Sequence, residues 1–506
     1  MSLIPTPGSL RAELRSRWPE WTAISVFAAV VAFAIPFHEP WADEAQAWQL
    51  ARSLSLRELF QTYIRYEATP GLWHFLLWIL IRARVSYTGM HWICGAIAVV
   101  SASLLVLNSP FPRYLKLTLP FTFFLVYQYA IVARSYLLVP LMLFVIASWW
   151  KKSPWVVAVA LGLLANCALH AAVISGGLAI VWLVEQLRAG SAKDRVRRRK
   201  LLLCVATVLS FYAFAIWTAW PPSDLVYLSF SRALRPSFLH SVLASVLAPI
   251  CQPVILSIPF WIAIVFVFVA RRSLLYLLPV LFFAVFSGNV ICYFWHWGLV
   301  VPLLICLLWI TWPSPGSGVS LYEFAARVAL IYMTGSQILW AAYSIQFDHY
   351  NAYSPNLATA QFLEPRVKAG ATIAVTYLDD SPAQVIGANG TLLNLHPSVY
   401  ISVGILPYFD RNIYINQPYP FYWWSEKNPS DRLFNALLPS HPSIVLAEAQ
   451  QQGQYDRPIA LRGPRAELLA KSGYRLTNVF CGSQPFGKHP TLMNCHVIFQ
   501  YAGAAP

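Results

Sequence analysis

Up to about residue 346 the sequence is a succession of apolar runs, 14 to 22 residues long, joined by short connections that collect the cations. A stretch of about 20 apolar residues crosses the hydrocarbon of a bilayer as one helix. Repeated this often, the pattern excludes a soluble fold. Charged residues make up 11% of the chain, against roughly 25% in ordinary soluble proteins, which is too few to cover a globular surface. A disordered or fibrous chain is excluded too, because 21 Trp, 25 Tyr and 30 Phe need burial or a lipid interface and no short repeat appears. The chain reads as a polytopic α-helical membrane protein.

The cations give the orientation. Before residue 346 there are 25 basic and 11 acidic residues, and after it 11 and 10, so the surplus belongs to the apolar part. It gathers at Arg11, Arg15 and Arg17, at Arg113 and Lys116, at Lys151 and Lys152, at seven positions from Arg188 to Lys200, and at Arg271 and Arg272. Such clusters mark cytoplasmic loops. A nucleic-acid patch at Arg195 to Lys200 is the competing reading, but a basic run squeezed between two apolar spans is a topology signal, and no nucleic-acid partner is expected. With these clusters inside, about eleven spans are expected, near 22–37, 88–107, 117–133, 137–150, 155–170, 172–187, 201–220, 254–270, 273–294, 298–311 and 325–345. The protein would then be a multi-pass protein of the cytoplasmic (inner) membrane, N-terminus inside and C-terminus outside. A cleaved signal peptide is not expected, since the first apolar run lacks a convincing small-residue cleavage site before His38 and continues into a charged loop.

Residues 71–81 are apolar but only eleven long, and counting them as a crossing would turn Arg113, Lys151 and the 188–200 cluster outward. They are expected to lie in the outer interface as a helix, within a first external loop running over 38–87. Five of the eleven acidic residues of the membrane part fall between Glu39 and Glu67 of this loop. Asp43 and Glu44 are adjacent, so on a helix they point about 100° apart and cannot share one target. One is expected to do chemistry and the other to cap or orient. The plainer reading, that Asp43 caps a helix starting at Glu44, leaves the neighbouring carboxylates unexplained.

Six histidines of the membrane part, His38, His74, His91, His170, His240 and His296, all fall at or near the outer face of this map. Together they suggest a polar cavity opening outward. Arg134, followed by Tyr136, breaks the positive-inside trend at the outer end of the third span. An arginine at membrane depth is costly and marks a functional hypothesis, and its guanidinium suits a pair of phosphate oxygens. The competing reading is a snorkelling side chain or an ion pair with a loop carboxylate such as Glu67.

A first span, an outer loop with an Asp-Glu pair, a Pro-led interfacial helix (TPGLWHFLLW), a cytoplasmic Arg/Lys turn and an Arg-x-Tyr at the next outer end resemble the GT-C glycosyltransferase superfold, which includes protein O-mannosyltransferases and lipid A aminoarabinose transferases. The resemblance covers roughly residues 22–190. The interfacial helix departs from the usual Pro-Pro or His-Pro-Pro start, with Thr69, Pro70 and Gly71. The resemblance implies an enzyme that moves a sugar from a polyprenyl-phosphate donor to a lipid, glycan or protein acceptor at the outer face. Asp43 would be the general base, with Glu44 as substitute or orienting partner. Arg134, with Arg65, would hold the carrier phosphate, Tyr136 and Glu67 would join the substrate site, and His74, His170 and His296 would line the sugar or acceptor pocket. No cofactor and no metal are expected, since a monophosphate leaving group has no obligatory need of one; a His-rich zinc site or a carboxylate-bound divalent ion is the alternative. WHWG at 295–298 reads either as a sugar-stacking element or as part of an interfacial aromatic belt.

Residues 347–506 are expected to form a separate extracytoplasmic α/β domain beside the transmembrane domain of 1–346, with β-rich runs at 371–377, 443–449 and 494–501 and helical stretches at 356–368 and 464–472. Cys481 and Cys495 suit a disulfide in an oxidising compartment. The six other cysteines lie in spans or, for Cys251, just before one, and read as small apolar residues. Two rival classes are a lipid or small-molecule transporter or flippase, which normally needs ionisable groups within its spans, and a non-catalytic anchor for the C-terminal domain.

Overall fold

A computed structural model describes residues 16–190, 194–226, 237–290, 292–313, 320–378, 383–386, 392–395, 397–452, 463–487 and 489–503. Arg11, Arg15 and Lys193 of the cationic clusters lie outside the described residues. Among the described residues six helices are long and apolar enough to cross a membrane: Trp18–Phe37, Tyr87–Asn108, Leu169–Arg188, Arg195–Ala219, Phe294–Thr311 and Leu321–Tyr350. They fall on six of the expected spans. Shorter apolar helices, Ser135–Trp149, Pro154–Ala165, Val254–Ala270 and Leu274–Asn289, occupy four more.

The helices that build the site are labelled here as α1 (Trp18–Ala34), α2 (Ala42–Ser53), α3 (Leu72–Arg82), α4 (Tyr87–Asn108), α5 (Leu169–Arg188), α6 (Phe294–Thr311) and α7 (Leu321–Tyr350). Helix α3 falls on the expected interfacial helix and packs against α2.

The expected span at 117–133 is not one helix. A helical turn Arg113–Thr118 gives way at Pro120 to a 3-10 turn, then to a π-helical turn Phe124–Gln128, then to irregular backbone up to Ser135. Proline lacks the N–H that an α-helix needs, and non-helical backbone at membrane depth survives only inside protein. Residues 123–133 are accordingly all buried. Gly298 of α6 permits this close packing, since a Cβ there would run into the Phe124 ring, and beside it the Tyr129 hydroxyl donates to the Trp295 carbonyl at 2.7 Å. Arg134 stands at the end of this irregular segment.

The C-terminal region contains a four-stranded sheet in the order β1-β4-β6-β5, with β1 (Ile373–Tyr377), β4 (Ile444–Gln452), β5 (Tyr474–Phe486) and β6 (His489–Tyr501); a two-stranded ribbon pairs β2 (Ala383–Ile386) with β3 (Leu392–Leu395). β1 and β4 run parallel and the other pairs antiparallel. Cys481 and Cys495, facing each other across β5 and β6 at a Cα separation of 4.1 Å, are joined as a disulfide. The six other cysteines are free.

This region and the helical bundle are not independent. Helix α7 runs through the expected boundary at 346/347 and ends at Tyr350. At the tip of the β5–β6 hairpin, Phe486 is buried in the main core and stacks on Phe294 with ring centroids 4.6 Å apart, with Phe123, Phe124 and Trp340 around it. The 3-10 segment Pro397–Tyr408 packs along α2.

Candidate functional site

Helix α2 begins at Ala42, and the Trp41 N–H at its entry donates to Glu44 Oε2 at 3.0 Å. Glu44 is therefore the capping carboxylate, and the plainer reading in which Asp43 caps a helix starting at Glu44 does not hold: the helix starts two residues earlier and the third residue inside it reaches back. The two neighbours then diverge. Glu44 is fully buried, and its Oε1 accepts from the Ala133 N–H at 2.6 Å and meets His91 Nε2 at 2.9 Å, while Oε2 meets His38 Nε2 at 3.4 Å. Burial works against its charge, but the His38 imidazolium and the hydrogen bonds hold its carboxyl well below the ordinary range.

Asp43 turns the other way. Its Oδ2 lies 2.5 Å from Arg134 Nη2, and its Oδ1 accepts from the Tyr400 hydroxyl at 2.9 Å. The side chains of Arg134 and Asp43 are 17% and 20% exposed, against 0% for Glu44, so this pair and not Glu44 is reachable by a ligand. Burial pushes the Asp43 carboxyl up, with Arg134 and Tyr400 pulling against it.

Arg134 sits in an aromatic cage, its Cζ 5.5 Å from the Trp41 ring, 5.1 Å from Tyr136 and 5.2 Å from Trp295. Its Nη1 is buried without a hydrogen-bond partner. A guanidinium with one arm on a carboxylate, one arm free and flat rings around it can take an anion bearing an apolar or sugar substituent.

Behind the cage, the His170 and His296 rings stack at 4.4 Å and Tyr136 meets His296 edge-on at 5.3 Å. Two of the expected pocket histidines are thus brought together beside Arg134 and Tyr136. His170 Nε2 is 3.0 Å from Cys292 Sγ. The Tyr293 N–H faces His296 Nδ1 at 2.9 Å and the Trp295 indole N–H faces its Nε2 at 3.2 Å.

The remaining expected residues bond to neither Asp43 nor Arg134, although the Asp43 charge reaches Glu67. Arg65 donates to the Trp220 carbonyl at 2.9 Å, which ties the first loop to the chain after the Arg195–Ala219 helix. Glu67 accepts from Gln46 Nε2 at 2.7 Å; Gln46 also exchanges hydrogen bonds with the Tyr422 backbone. Burial, against the Gln46 hydrogen bond, pushes the Glu67 carboxyl up to about 8. His74 is buried on α3 with neither ring nitrogen partnered. Trp295 belongs to the WHWG run that the sequence offers as a stacking element, whereas three participants carried no local signal: Trp41, Tyr400 and Asp348. The last two lie beyond residue 346, and Asp348 Oδ2 meets His38 Nδ1 at 3.2 Å and accepts from the Tyr127 hydroxyl at 2.8 Å.

Two groups bring three potential metal-ligand atoms within 4.8 Å of one another: His38, Glu44 and His91, and His170, Cys292 and His296. In the first, each Glu44 oxygen accepts from a backbone N–H and also meets a histidine. In the second, both His296 nitrogens face N–H donors and the two rings lie nearly parallel, 14° apart, whereas a shared ion would lie in the plane of each ring. The first set would hold an ion only if His38 and His91 gave up their hydrogen bonds to Glu44; the second does not fit one as it stands. No family model, no curated protein and no solved structure matches this chain.

Proposed function

We propose that the chain is a membrane glycosyltransferase of the GT-C type, moving a sugar from a polyprenyl-phosphate donor to a hydroxyl acceptor at the outer face of the cytoplasmic membrane, with about eleven crossings, the N-terminus inside and the C-terminal region outside. The observation that carries the reading is the partly exposed Asp43–Arg134 pair with its free Nη1 inside the ring of Trp41, Tyr136 and Trp295. The donor phosphate would compete with Asp43 for Arg134. Once displaced, the Asp43 carboxylate is a base beside the bound donor. It takes the proton of the acceptor hydroxyl as that oxygen bonds to the anomeric carbon, the anomeric C–O bond to phosphate breaks, and polyprenyl phosphate leaves on Arg134 with the electron pair. His170, His296 and Tyr136 would line the sugar, and Glu67, protonated at neutral pH, can donate to a sugar oxygen.

The test uses purified protein with a polyprenyl-phosphate sugar and a hydroxyl acceptor. Asp43→Asn should cut transfer by about 10² or more while donor binding survives. Arg134→Ala should instead weaken donor binding by about 1.5 to 3 kcal/mol, the worth of a charge-assisted hydrogen bond. Wild-type transfer in Asp43→Asn would remove the base, and with it the reading. For orientation, a cysteine at the exposed position Ser440 should react with an impermeant thiol reagent in intact cells and one at the exposed position Arg188 should not; the reverse pattern would invert the map.

A transporter or flippase is the second reading, favoured by one observation: Asp348 and His38 form an ionisable pair at the end of a long apolar helix. Proton-coupled lipid movement in vesicles without any sugar transfer would establish it instead.

A further inference from the structure

We propose that Glu44 is the positioning residue of the Asp43–Arg134 pair, and that Asp348, acting through His38, holds Glu44 in place. The inference rests on the transferase reading for what the pair does, and on geometry alone for how the pair is held.

Glu44 and Ala133 are the sequence neighbours of Asp43 and Arg134, and the Ala133 N–H donates to Glu44 Oε1 at 2.6 Å. One buried hydrogen bond therefore fixes the backbone of the base against the backbone of the cation. The same carboxylate accepts from Trp41 N–H and meets His91 and His38, so α4 and the entry of α2 are tied to it as well. Any rotation of Glu44 would shift Asp43 or release Ala133, on irregular backbone where the amide has no helical partner.

His38 is the link to α7. Its Nδ1 faces Asp348 Oδ2 and its Nε2 faces Glu44 Oε2, two carboxylates at its two nitrogens. A neutral imidazole can donate to only one of them; the doubly protonated ring donates to both. Burial opposes that charge, but Glu44 and Asp348 push the His38 pKa up to about 10, so the ring stays an imidazolium at neutral pH. Asp348 Oδ2 also receives the Tyr127 hydroxyl from the π-helical turn that leads to Arg134. Helix α7 thereby grips both the first loop and the Arg134 segment through one oxygen.

The experiment compares full-length wild type, Asp348→Asn, Glu44→Gln and the double variant in detergent, with farnesyl phosphate as the soluble monophosphate probe. Amide exchange over 129–136 and probe affinity are measured below each variant's melting temperature. Each single change should speed exchange over 129–136 and weaken the probe about tenfold, and the double variant should bind no more weakly than the weaker single, because both act through one chain of contacts. If Glu44→Gln does not fold, Tyr127→Phe replaces it, with a loss of about threefold expected. Unchanged exchange in Asp348→Asn, or losses that multiply in the double variant, overturns the proposal. If wild type does not bind farnesyl phosphate while exchange over 129–136 still depends on Asp348, the positioning stands and the transferase reading falls.

Discussion

Arg134 stands between two histidine clusters built on opposite electrical principles. On the side of α2 and α7, His38 lies between Glu44 and Asp348, with His91 on the same Glu44 carboxylate. On the side of α5 and α6, His170 and His296 stack face to face with Cys292 and aromatic rings, and among the described residues no carboxylate is bonded to either ring. His296 faces N–H donors at both nitrogens and cannot carry a second ring proton as well. One cluster is a charged framework in which removing a member strands its partners; the other is a neutral wall whose members pack. The difference teaches where substitution should be tolerated.

The sharpest way to break this comparison is Glu44→Ala. It leaves a buried imidazolium and two backbone N–H groups without their acceptor, and should cost about 3 to 5 kcal/mol of stability, read from chemical unfolding in detergent. A loss under about 1 kcal/mol would mean that the framework is not charged.

The next effect is on pH. His38 titrates near 10 when folded and near 6.5 when unfolded, so its contribution is fully present below 6.5 and is lost as pH rises through 10. The raised carboxyls of Glu39, at about 7, and Glu67, at about 8, act in the same direction, since their contribution is present below 4.5 and lost on the way up to those values. The melting temperature should fall between pH 6.5 and 10, and fall less in His38→Gln. Equal slopes in the two proteins would place the proton elsewhere.

On the neutral side, His170→Phe keeps an aromatic ring against His296 and Phe286, and should change stability by no more than about 1.5 kcal/mol in the same unfolding assay. Cys292→Ser should be smaller still, about 0.5 kcal/mol, because a hydroxyl replaces a weak thiol donor. A melting loss from either as large as that of Glu44→Ala would erase the distinction between the clusters.

Much of the framework was legible because its signals are local. Apolar length and the short 71–81 run point to the long helices and to α3, the β-rich runs at 371–377, 443–449 and 494–501 coincide with parts of β1, β4 and β6, and Asp43 and Arg134 stand out as charges in the wrong place for a lipid surface. The break at 113–134 was hidden because an apolar composition does not reveal whether its backbone is helical once it is buried in protein. The division of labour between Asp43 and Glu44 was half legible: adjacency on a helix requires that they diverge, but which of them faces Arg134 depends on Ala133, 89 residues away. Asp348 and Tyr400 were not legible at all. Their partners His38 and Asp43 lie 310 and 357 residues earlier, and a boundary drawn where hydrophobicity stops assigned both to a different domain.

The docking of Tyr400 and Phe486 on the bundle has a consequence in time. During synthesis, a chain that is just completing α7 has Asp43 and Arg134 in hand, but the hydroxyl of Tyr400 and the ring of Phe486 are still to be made, and Asp348 is only just emerging. The bundle at that moment is an unfinished mould. The hairpin that seats between Phe294 and Trp340 is made well after α7, so a product stalled before it would leave that place in the core unfilled.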